Sequence, residues 1–79
     1  VSDNQTDVKY PECEVELSGV NGNAVIIFMK VRKELIKHLE AKGWGREDAV
    51  KEGDAFRTEA ASGDYDHVLI TCHRWVTVL

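Results

Sequence analysis

After Pro11 the chain alternates without a break: Glu12, Glu14 and Glu16 fall on one face, Cys13, Val15 and Leu17 on the other. A period of two with one greasy face predicts a half-buried strand whose glutamate face is wet. Ser18 to Asn23 then reads as a turn. Its two glycines permit unusual backbone angles, and Asn23 suits a helix N-cap.

The period changes at Ala24, and a helix is predicted from there to Lys42, with Gly43 as its stop. At ~100° per residue, Ala24, Ile27, Phe28, Val31, Leu35 and Leu39 form one apolar stripe. Val25, Met29 and Ile36 form a second stripe beside it. Together they span about 200°, where a surface helix needs little more than 100°. This helix is therefore expected either to be central in the domain or to meet another chain. Lys30, Lys33, Lys37 and Glu40 make its solvent face.

Trp44 and Gly45 form a tight connection into a second helix, Arg46 to Ala61, with a sparse stripe of Ala49, Val50, Phe56 and Ala60. Gly53 lies inside it and costs ~1 kcal/mol relative to alanine, which predicts a bend or break there. Ser62 and Gly63 end it. A third helix, Asp64 to Trp75, opens with acidic residues and carries Tyr65, Val68, Leu69, Cys72 and Trp75 at helical spacing. Val76 to Leu79 then reads as a terminal strand.

The order strand–helix–helix–helix–strand predicts a small α+β domain. First and last strands pair into a two-stranded sheet packed on the helices. Residues 1–10 are expected to be a flexible N-terminal segment and 11–79 a single domain. An open strand edge makes a homodimer through the sheet the natural self-association.

Composition narrows the picture only slightly. Ten basic against fourteen acidic residues give a net charge of −4 in 79 residues. That balance argues against nucleic-acid and anionic-membrane binding. No apolar run reaches the ~20 residues of a membrane helix. Cys13 and Cys72 lack metal-ligand spacing and fall on faces read as buried, which predicts two reduced core thiols in a cytosolic protein. The first residues have no signal-peptide pattern. Val1 in place of Met fits a removed Met or a GTG start codon read literally.

Little in the chain suggests catalysis, a metal or a cofactor, and none of the three is expected. Asp64, Asp66, His67, Cys72 and His73 do not bring three ligands together on a helix. Cys72 and His73 diverge by ~100°, too far apart to form a thiolate–imidazole pair. The Gly19, Asn21, Gly22, Asn23 turn leads into a helix N-terminus that could attract a small anion or nucleotide, but it matches neither phosphate-binding fingerprint.

The stronger signal is surface. Asp66, His67, Ile70, His73 and Arg74 place one apolar residue within a polar ring on the outer face of the third helix. Val25, Met29 and Ile36 add apolar area, and Trp44, Arg46 and Arg74 are natural anchor types. All of these but Arg46 form the expected interaction surface. A nucleic-acid surface of Lys30, Lys33, Lys37 and Arg46 is the weakest alternative, because acidic residues oppose it.

Several runs resemble small proteins encoded by bacteriophages of actinobacteria, mycobacteriophages included. They are Glu14-Val15-Glu16-Leu17-Ser18-Gly19, the helix start Gly22-Asn23-Ala24, Lys30-Val31-Arg32, Ala61-Ser62-Gly63-Asp64-Tyr65-Asp66-His67-Val68-Leu69, Thr71-Cys72 and Arg74-Trp75-Val76. The likeness covers residues 12–78, and the Ser62 to His67 run is its most specific part. The stretch from Arg46 to Thr58 departs, being longer and less apolar than is usual in the group. The resemblance implies a phage product made in the host cytoplasm and implies no activity. By analogy with other small phage proteins, the expectation is a non-enzymatic accessory protein that contacts a host or phage protein. The alternative is a small-ligand or nucleotide-binding module built on the Gly19–Asn23 turn.

Overall fold

The computed structural model describes residues 8–17, 19 and 22–79. Most of the expected N-terminal segment, and Asn21 of the expected ligand turn, lie outside the described residues. The elements are β1 (Tyr10–Val15), α1 (Ala24–Ala41), α2 (Arg46–Ala60), α3 (Tyr65–Trp75) and β2 (Val76–Val78). The α+β order is the one the pattern predicts. β1 and β2 pair side by side in parallel, an orientation that the pattern left open.

The first strand starts earlier than its alternation suggests. Tyr10, assigned from the sequence to the flexible segment, is the first residue of β1. The N–H of Lys9 already donates to Arg74 O at 2.8 Å. Tyr10 pairs with Val76 and Glu14 with Thr77, so β1 advances much further than β2 between the two pairs. The Thr77 hydroxyl donates to Pro11 O at 2.8 Å and occupies this irregular stretch. Cys13 and Val15 point into the core, whereas Leu17 lies past the strand end and is only half-buried.

Asn23 caps α1, its Oδ1 accepting the Val25 N–H at 2.9 Å. Gly43, at φ +101°, ends the helix. Gly43 N–H reaches Glu40 O and Trp44 N–H reaches Leu39 O, both at 3.0 Å, which satisfies carbonyls that a helix end would leave unpaired. The main apolar stripe is buried as expected from Ile27 to Leu39.

Of the bend or break expected at Gly53, there is no break: α2 is continuous through it. The missing side chain serves packing: a Cβ there would lie 2.7 Å from Ile36 Cγ1 and 3.2 Å from Arg32 Cγ. Glycine lets α2 close onto α1, and this approach buries Ile36. Phe56 and Trp75 meet edge to face, 5.6 Å between centroids, and Tyr10 packs 6.2 Å from the same indole. Strand, second helix and third helix therefore converge on Trp75. Tyr65, expected on the buried stripe of α3, is exposed.

Candidate interaction surface

The nine residues expected to form one surface separate into distinct places. Ile36 is only 7% exposed and leaves the surface altogether. It shares an azimuth with Val25 and Met29, but α2 covers α1 at its level. Trp44 is exposed beyond the far end of α1. That helix has 18 residues, roughly 27 Å at 1.5 Å each, so Trp44 cannot join Val25 in one patch.

His67 also leaves the expected surface. Its Nε2 lies 2.8 Å from Glu59 O and 3.3 Å from Ser62 Oγ, and its N–H donates to Asp64 Oδ1 at 3.0 Å. A Cβ on Gly63 would lie 2.7 Å from His67 Cγ. The imidazole thus joins the C-terminus of α2 to the start of α3. Asp66, Ile70 (52% exposed), His73 and Arg74 do point outward along one side of α3.

What remains on α1 is more coherent. Val25, Ile26 and Met29 are 56%, 45% and 40% exposed at the N-terminal end of the helix. Lys30, Lys33 and Glu34 complete a groove of about 450 Å³ with them. Ile26 was missed by the stripe reading because, at ~200° from Ala24, it falls within the polar face among Lys30, Lys33 and Lys37. Its neighbours Val25 and Met29 were the available signal.

A second groove, about 380 Å³, lies between β1 and α1 and is lined by Glu12, Cys13, Glu14, Glu34, Lys37 and His38. Lys42 pairs with Glu12, and its hydrogen bond holds that carboxyl below the usual carboxylate range. His38 Nε2 is buried with no hydrogen-bond partner among the described residues. Of the cations considered for nucleic acid, Arg46 is paired with Glu40 at 3.1 Å. Neighbouring Arg32 is paired with Asp54 at 3.0 Å.

Several of the chemistry-bearing residues are occupied or hidden. Cys13 and Cys72 are buried and unbridged. Burial pushes both thiols up to about 11, with Glu34 adding to the effect at Cys13, so neither favours the thiolate. Cys72 faces the core while His73 faces solvent. At the expected ligand turn, Asn23 is engaged as the helix cap, and Gly19 (φ +80°) and Gly22 are open. Among the described residues, no three His, Cys, Asp or Glu side chains converge as a metal site. No described helix is long and apolar enough to cross a membrane. Comparison with protein-family models, curated proteins and solved structures finds no match for the chain.

Proposed function

We propose that this chain is a non-enzymatic binding domain, an accessory protein of an actinobacterial phage that acts on a host or phage protein in the host cytoplasm. The observation that carries the binding role is the open apolar cluster Val25, Ile26 and Met29, bordered by Lys30 and Lys33. An apolar centre with a charged rim matches the anatomy of a protein interface. The phage assignment rests on the sequence resemblance, above all on the Ser62 to His67 run.

The test compares the tagged chain with an Ile26→Asp/Met29→Asp variant in actinobacterial host cells. A recovered partner is then measured with purified proteins. The expected result is affinity weakened about tenfold or more, near 1.4 kcal/mol. The melting temperature should hold, because both side chains face solvent. Undiminished affinity for the double variant, or no partner for the parent chain, would overturn the reading.

A further inference from the structure

We propose that the unpaired edge of β1 accepts an extended segment of a partner protein as a third strand, and that this segment carries basic residues at alternate positions. The inference rests on the binding-domain reading and adds the chemistry of the partner.

Among the described residues the sheet has only two strands, so β1 has one edge without a neighbour. Leu79 N–H donates to Val15 O at 2.9 Å, which turns the polar groups of Val15 toward β2. Successive residues of a parallel strand address opposite edges. The N–H and C=O of Glu14 therefore face the unpaired edge. Glu12, Cys13 and Glu14 form one wall of the 380 Å³ groove, and the flank of α1 forms the other. A trough between a strand edge and a helix is a recurrent seat for strand addition, where main-chain hydrogen bonds give affinity and alternate side chains give selectivity.

Charge selects the occupant. Among the described residues, Glu14, Glu16 and Glu34 have no ion-pair partner, while Glu12 is taken by Lys42. Lys37 is a cation in the lining, on the α1 side. A second copy suits this edge poorly. Antiparallel pairing of two β1 strands about Glu14 would set Glu14 against Glu14 and Glu12 against Glu16, and like charges directly opposite are unfavourable. A strand with Lys or Arg at every second position meets the same carboxylates with opposite charge. Glu34 also borders the groove that carries Val25, Ile26 and Met29, so a bound segment running past it would reach the apolar cluster.

The probe is a capped peptide of about ten residues alternating Lys and Val, a length a single strand can use. Binding is read by fluorescence anisotropy against the full chain. Saturable binding is expected, weakened about tenfold or more by Glu14→Lys/Glu34→Lys. Two further peptides are N-methylated, one at every Lys and one at every Val. One should lose binding and the other keep it, since only one set of N–H groups can face β1. Equal binding of both methylated peptides, equal binding of a Glu–Val peptide, or no binding at all would overturn the proposal. So would a dimer of the unmodified chain at neutral pH whose formation competes with the peptide. Peptide binding that survives Ile26→Asp/Met29→Asp separates this edge from the α1 cluster, so the two readings can fail independently.

Discussion

The hydroxyl of Tyr10 donates to Glu52 Oε2 at 2.6 Å, tying the first residue of β1 to the middle of α2. Lys9 Nζ approaches the same oxygen at 3.0 Å and sits 4.2 Å from the centroid of Trp75. Burial alone would push Glu52 up, but the hydrogen bonds from Tyr10 and Lys9 outweigh it and hold the carboxyl below its ordinary value. Burial, and then Glu52 itself, push the Tyr10 phenol well above its ordinary value of 10.0.

These two shifts give opposite limbs of one pH profile. A depressed carboxyl contributes stability above its unfolded pKa of about 4.5 and loses it as pH falls through the folded value. A raised phenol contributes below 10.0 and loses that contribution as pH climbs further. Chemical denaturation across pH should show Glu52→Gln flattening the acid limb and Tyr10→Phe flattening the alkaline one. Tyr10→Phe should cost about 1 kcal/mol near neutrality, a value for a partly exposed bond to a charged acceptor. An unchanged acid limb in Glu52→Gln would remove this pair as its source.

Gly53→Ala tests why α2 runs unbroken past a glycine. Helix propensity favours alanine by ~1 kcal/mol. Against that, the new methyl would sit 2.7 Å from Ile36 Cγ1, and overpacking of this kind costs roughly 1–3 kcal/mol. The expected sum is a net loss of about 1 kcal/mol, measured by urea unfolding. Adding Ile36→Ala should make the pair non-additive, since the second change removes the atoms the methyl meets. Additive effects would show that the close approach does not matter to stability.

Legibility in the sequence followed what a single element can encode. The alternation of Glu12 to Leu17 and the stripe from Ile27 to Leu39 each report a buried face, and both give the element and most of its core. Ile36 and Met29 share one side of α1, yet one is buried and the other open. That outcome depends on where α2 crosses, which no helical period contains. Gly53 was misread for the same reason: its weak propensity is local, while its close approach to Ile36 is tertiary. Tyr10 lies outside the alternation because β1 is irregular between Tyr10 and Glu14. At the candidate surface, Val25 and Met29 were legible as surplus apolar area, but the groove beside β1 was not, because it needs a helix placed against a strand edge.

His67 should behave as a structural residue. Its ring bond to Glu59 O bridges α2 and α3, so His67→Ala removes a largely exposed hydrogen bond worth about 1 kcal/mol. For a domain of this size that corresponds to a fall of roughly 4–8 °C in melting temperature. Affinity for a partner that binds Val25, Ile26 and Met29 should be unchanged within error. Ile70→Asp, on the same helix but facing solvent, should leave the melting temperature nearly unaltered. A stable His67→Ala variant would return this side chain to the candidate surface.

The two cysteines predict a second alkaline effect that is separable from Tyr10. Both thiols are raised from 9.0 to about 11 in the folded chain, primarily by burial. Unfolded thiols ionise first, so the stability they contribute is complete below pH 9.0 and is lost as pH rises toward 11. Cys13→Ser/Cys72→Ala should reduce that slope, although its neutral-pH stability will be lower through lost packing and a buried hydroxyl. A thiol reagent at pH 8 should label the native chain slowly and at a rate that tracks opening of the fold, because neither sulfur is accessible in place. Labelling of Cys13 at the rate of a free thiol would mean that the wall between β1 and α1 opens readily in solution. The edge-binding proposal would then concern a mobile strand rather than a formed groove.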